Sequence, residues 1–170
     1  RSVLQSNTVF KNKGIDPHIH FPDTNLEVKW IANTVLNRNS IEWINNTCDI
    51  HPKYFSVLIQ EYKKEMLLRK DNTNFCLDTG AVMAFYGVRD TNDIDFISIG
   101  NSEKAIVNER LESHNSQYNG YSIAVREIIE NPKYHFHYKH IKSSTLCTVK
   151  SFKKYRSEIS PGSINSVSYT

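Results

Sequence analysis

The sequence predicts an α+β domain, a small mixed β-sheet preceded by an N-terminal helical extension. Three observations predict it. Between residues 23 and 70 apolar side chains recur at helical spacing, as Val28, Ile31 and Val35 and then as Phe55, Leu58, Ile59, Tyr62 and Met66. After Asp71-Asn72 the pattern changes to short apolar runs separated by polar or glycine turns, first Phe75-Cys76-Leu77 and then Ile94 to Ile99. The second of those runs is entered through two acids two positions apart, Asp93 and Asp95.

Four stretches follow in order: an irregular arm over 1–22, a helical extension over 23–70, a core over 71–158 and a loose tail over 159–170. The arm has weak periodicity and contains Gly14, Pro17 and Pro22. Asp23 or Thr24 suits the cap of a helix running to about Asn37, with Val28, Ile31 and Val35 on its inward face. Asn39-Ser40 breaks that helix, and Ser40 caps a short turn carrying Trp43 and Ile44. Pro52 suits the first turn of the next helix, whose solvated side is Lys53, Glu61, Lys63, Lys64 and Glu65.

In the core, Gly80 to Tyr86 is small and apolar and reads as a short helix ending at Gly87. Gly100-Asn101 stops the strand from Ile94, and Ser102 to Leu111 reads as a helix. Tyr121 to Ile129 is strand-like, Asn131-Pro132 a turn, and His135 to Ile141 a further strand. Ser144 caps a basic helix to about Arg156. Tyr54, Phe55, Tyr62 and Phe85 fall at core spacing and read as packing, not as a platform for stacking bases.

Bulk composition excludes several classes. With 21 Lys and Arg against 18 Asp and Glu, the net charge of +3 is too mild to argue for a nucleic-acid or membrane surface. No apolar run reaches the roughly 18 residues of a membrane span, and no charged-then-apolar leader is present. The three cysteines, Cys48, Cys76 and Cys147, form no Cys-x-x-Cys pair and are odd in number. They read as reduced, buried thiols in a cytoplasmic protein. A first residue that is Arg rather than Met suggests a chain cut from a longer protein with further domains.

The chemistry lies between Cys76 and Phe96, where a strand meets a glycine turn, a short helix and a polar loop before the two acids. Alternate residues of a strand point to one side, so Asp93 and Asp95 aim together and Ile94 and Phe96 face the other way. Two carboxylates aimed together repel unless a cation lies between them, and oxygen ligands of this kind suit Mg²⁺. Phosphoryl and nucleotidyl transfer use such a site to neutralise phosphate charge and align attack. Gly80 at the head of the short helix lets the backbone approach a phosphate.

This stretch resembles the nucleotidyltransferase superfamily, the DNA polymerase beta-like fold, and within it the small bacterial branches. Gly80, Gly87, Arg89, Thr91, Asp93 and Asp95 follow the run of glycine, small apolar helix, glycine, Arg-x-Thr and acid-hydrophobic-acid found there. The specific match is confined to residues 76–96, and the first 70 residues gain little from it. The resemblance implies Asp93 and Asp95 as Mg²⁺ ligands, with Mn²⁺ the alternative, and an NTP such as ATP as substrate. It implies Thr79 and Gly80 at the triphosphate, and Arg89 and Thr91 bracing the loop or touching the nucleotide. Lys150 or Lys153 on the last helix would be a phosphate contact, against the plain reading of a solvated basic face.

Two departures stand out. The second turn position is Ala81, which removes a hydroxyl, and no clean third acid appears. The best candidate for a third catalytic acid is Glu127, which interrupts the apolar face Ile123, Val125, Ile129 of the expected strand. His135 and His137 share a face of their strand, as His18 and His20 would of theirs, and either flank the active site or lie exposed. The expected function is transfer of an NMP from an NTP to a non-polymeric acceptor, a small molecule, a sugar or a protein. The alternative is a catalytically degenerate module that binds or regulates within a larger protein.

Overall fold

The computed structural model describes residues 24–47, 53–67, 69, 72–100 and 108–159. The arm over 1–22, Cys48, Pro52 and the tail from Ser160 lie outside the described residues. Within them the chain is mixed α and β, with six helices and one five-stranded sheet.

Three helices come first: α1 over Asn25–Val35, α2 over Arg38–Thr47 and α3 over Lys53–Leu67. Thr24 caps α1, its extended backbone letting the hydroxyl accept from the Glu27 amide at 3.1 Å. The face expected to be buried is not. Val28, Ile31 and Val35 are 47, 40 and 55% exposed. The helix carries apolar residues on two sides, and on the other side Trp30 is half-buried, tilted against the His140 ring with centroids 3.7 Å apart.

The break expected at Asn39-Ser40 falls earlier, because Asn37 caps α2 by accepting from the Ser40 amide at 3.0 Å. Trp43 is buried on α2, edge-on to Phe85 and stacked at 5.4 Å on Phe136. The expected stripe of α3 holds, with Leu58, Tyr62 and Met66 buried.

The sheet contains β1 (Phe75–Leu77), β2 (Ile94–Ser98), β3 (Leu111–Ser113), β4 (His135–Tyr138) and β5 (Ile141–Ser144). Its order is β3-β2-β1-β5-β4. The β1/β2 and β4/β5 pairs are antiparallel, while β1/β5 and β2/β3 are parallel. Between strands lie α4 (Thr79–Phe85) and α5 (Val125–Glu130), and α6 (Leu146–Ile159) closes the described chain. One face of the sheet packs Phe75, Leu77, Ile94, Phe96 and Phe136 against Trp43, Leu58 and Phe85. The other packs Cys76 and Ile97 against Ile128, Ile129, Phe152 and Tyr118. Both faces are therefore covered, which explains why every residue of β1 and β2 is buried.

Four expectations in the core are corrected. Residues 101–107 lie outside the described residues, but the helix expected through Leu111 does not reach it, since Leu111–Ser113 is β3. The strand expected over Tyr121–Ile129 contains α5, where the adjacent Ile128 and Ile129 are both buried, a pattern a half-covered strand cannot give. The strand expected over His135–Ile141 is a hairpin. Lys139 and His140 turn it at φ of 45° and 70°, the left-handed pair a two-residue turn requires. The cap of α6 is Thr145, which accepts from the Thr148 amide at 3.2 Å, while Ser144 pairs with His135 in the sheet. Of the thiols, Cys76 is buried as expected and Cys147 is exposed.

The outer side of β4 meets α2 through side chains. Asn37 and Asn39 each donate to the His135 carbonyl at 3.1 Å, and the His137 amide donates to the Ser40 hydroxyl at 2.7 Å. No helix among the described residues is long and apolar enough to cross a membrane.

Candidate metal centre

β1 runs out at Leu77 on the same end of the sheet where β2 begins, since Leu77 pairs with Phe96. The Asp78 amide extends that pairing by donating to the Asp95 carbonyl at 2.9 Å. The chain then turns into α4 through Thr79, a β-branched residue at φ 34°. Such a backbone is strained and persists only where its surroundings hold it. Here the Thr79 hydroxyl donates to Asp95 Oδ2, and the Gly80 amide donates to the same oxygen at 3.1 Å. A Cβ on Gly80 would stand 3.0 Å from Thr91 Oγ1 and 3.1 Å from Asp95 Oδ2, so glycine lets the turn close on the carboxylate.

Thr79 and Gly80 are the residues expected at a triphosphate. Both point donors at a carboxylate and hold it, rather than leaving them open toward a triphosphate. Thr91 is buried and donates to the Asp93 carbonyl at 2.9 Å and to Asp93 Oδ1 at 3.1 Å. Asp93 itself is exposed and precedes the first paired residue of β2, whereas Asp95 is buried within it. The Arg89 guanidinium reaches within 3.5 Å of the space above Gly80. Lys150 and Lys153 are exposed on α6.

Across the parallel pair, Asp95 is in register with Glu112 of β3, so the two carboxylates stand side by side. Two residues on, His114 returns to the same place, with Nε2 3.1 Å from Asp95 Oδ1. Ligand atoms of Asp95, Glu112 and His114 all lie within 4.8 Å of one another, a group that can hold a metal ion. The other ring nitrogen of His114, Nδ1, lies 3.6 Å from Asp78 Oδ2, and both oxygens of Asp78 accept from the Tyr118 hydroxyl at 2.9 Å.

The electrostatics follow from this arrangement. Burial opposes a charge on His114, but hydrogen bonds and attraction from Asp78 and Asp95 outweigh it and push the imidazole up to about 9. Burial likewise raises Asp95, yet the His114 contact, the Thr79 hydroxyl and the Gly80 amide together hold it below the usual carboxylate range. Without a metal ion, the pair is therefore imidazolium and carboxylate near neutral pH.

Glu127, expected as the third acid, stands exposed on α5. The reason for choosing it, a carboxylate interrupting a buried strand face, disappears with the strand. The acid beside Asp95 is Glu112. The signal for it was present, since Glu112-Ser113-His114 has the same two-residue spacing as Asp93 and Asp95, but the segment before it read as helix. His135 and His137 do not flank this centre. They lie on β4, at the opposite edge of the sheet, with His135 Nδ1 2.8 Å from the Ile128 carbonyl and the two rings 5.1 Å apart. His18 and His20 are outside the described residues. No family model matches the chain, and no curated protein or solved structure matches it, which leaves the geometry of the Asp95 group as the ground for a function.

Proposed function

We propose that the chain is a metal-dependent nucleotidyltransferase of the DNA polymerase beta-like fold, moving an NMP from an NTP to a non-polymeric acceptor. The observation that carries this reading is the register of Asp95 with Glu112, which sets a second acid beside the Asp95 of the pair that resembles that superfamily. A divalent cation bound there supplies charge neutralisation for the triphosphate and fixes the line of attack. The chain's own residues do the rest. Thr79 and Gly80 lock Oδ2 of Asp95, which leaves Oδ1 turned toward Glu112 and His114. Asp93 stands exposed where β2 begins, and the Arg89 guanidinium lies near Gly80, a cation that would meet phosphate in this reading. An acceptor hydroxyl attacks the α-phosphorus, the new P–O bond forms as pyrophosphate leaves, and the hydroxyl proton passes to solvent or a carboxylate.

One observation favours a second reading, a degenerate binding or regulatory module. The His114 imidazolium already bridges Asp78 and Asp95, a cation in the place where the metal belongs. Calorimetric titration of the four NTPs, with and without divalent cation, separates the two. The enzyme reading expects cation-dependent binding of an NTP that is lost in Asp95→Asn. Binding indifferent to cation and to Asp95 supports the module and sinks the enzyme.

A further inference from the structure

Magnesium fits the donor set poorly. It demands oxygen ligands and gives up water reluctantly, whereas an imidazole nitrogen suits the first-row transition ions. We infer that this centre is a mixed carboxylate–imidazole site for a transition ion, with His114 Nε2 as a direct ligand beside Asp95 Oδ1 and Glu112. The inference rests on the metal-site part of the function proposed above, but not on nucleotide chemistry.

Three features of the geometry carry it. First, the spacing is already that of two ligands on one ion. Donors at about 2.1 Å and at right angles are about 3.0 Å apart, and Nε2 and Oδ1 stand 3.1 Å apart. Donors on opposite sides of such an ion are about 4.2 Å apart, so a group held within 4.8 Å needs only a small closing movement. Second, the far nitrogen of the same ring is turned to a carboxylate. Asp78 lies 3.6 Å behind Nδ1, so an ion that displaces the Nε2 proton leaves the remaining proton held at Nδ1, with the Nε2 lone pair facing Asp95 and Glu112. Histidines that bind metals almost always turn their other ring nitrogen to a carboxylate, a carbonyl or a water, which fixes the ring and raises its basicity. Third, Asp78 is itself held: it is fully buried, and Tyr118 donates to both of its oxygens while stacking at 3.9 Å on Phe152. The ring is therefore oriented from its far side by a shell that the carboxylates in front of it do not need.

The test uses the full chain and Mn²⁺ alone. Binding is followed by loss of the free-ion electron paramagnetic resonance signal, and ligation by pulsed measurements of nitrogen coupling to the bound ion. The expected result is a nitrogen coupling in the wild type, Mn²⁺ bound at least tenfold more tightly than Mg²⁺, and displacement of Mn²⁺ by Co²⁺, the order that nitrogen ligation produces. His114→Gln should abolish the coupling and weaken Mn²⁺ at least tenfold, and Tyr118→Phe should weaken it by roughly tenfold while keeping the coupling. Mn²⁺ bound without nitrogen coupling overturns the inference, and so does no binding at all. The wild-type coupling decides the matter even if a variant does not fold. Cation-dependent NTP binding without the coupling would leave the transferase reading standing alone. The coupling without NTP binding would leave the transition-metal site standing alone.

Discussion

Acid should destabilise this protein well before its carboxylates titrate, and the cause is the histidine pair on β4. Burial, helped by the positive charge of Lys142 and for His137 by His135 itself, lowers His135 to about 4 and His137 to about 3. In the unfolded chain both titrate near 6.5. Stability from these groups is full above 6.5 and is lost as pH falls, because the unfolded state takes up protons that the folded state refuses. At pH 5 each histidine then disfavours folding by about 2 kcal/mol, about 4 kcal/mol together. His114 acts the other way. Its folded value of about 9 means that its contribution is full below 6.5 and fades as pH rises toward 9. Between pH 7.5 and 5 it returns about 1.4 kcal/mol, so the net loss is on the order of 2–3 kcal/mol. Urea titrations of the chelator-treated protein at the two pH values would read this directly. In His135→Asn/His137→Leu the asparagine keeps a donor for the Ile128 carbonyl, and neither side chain titrates. That variant should hold its stability or gain slightly over the same window. A wild type equally stable at both pH values, or a variant that loses as much as the wild type, would refute the reasoning.

Two substitutions test other parts of the fold. Gly80→Ala places a methyl 3.0–3.1 Å from Thr91 Oγ1 and Asp95 Oδ2. Better helix propensity adds about 1 kcal/mol and crowding removes about 1–3, so the melting temperature should move only a few degrees while metal affinity drops roughly tenfold. Unchanged metal affinity would show that the turn does not hold Asp95. Ser40→Ala leaves the part-buried His137 amide without its acceptor and should lower unfolding free energy by about 1–2 kcal/mol, measured by urea titration. A change below a few tenths would mean that water replaces the hydroxyl.

Local signals in the sequence were reliable where one residue type does one job. Thr24 as a cap, the apolar stripe of α3, the short strand at Phe75 and the short apolar helix α4 all depend on near neighbours. They are found as expected. What the sequence did not reveal depends on distant partners. Val28, Ile31 and Val35 have helical spacing, but it is Trp30 that meets a distant partner, the His140 ring. The hairpin at Lys139-His140 carries no glycine or asparagine to announce it. Glu112 has meaning only through its register with Asp95, and residues 95 and 112 are brought together by a parallel pairing that no local pattern encodes. Glu127 interrupts an apolar face only if its segment is a strand, and in the helix that forms there it is exposed.

The contacts of Asn37, Asn39 and Ser40 with the outer side of β4 have a consequence beyond this chain. A bare edge strand offers a row of donors and acceptors to any extended peptide, including another copy of itself. Here the first turn of α2 answers part of that row with side chains, so the helix stands where a sixth strand would dock. The opposite edge is the three-residue β3, too short to template much. Growth of the sheet from one molecule into the next is thus opposed at one edge by occupation and limited at the other by brevity.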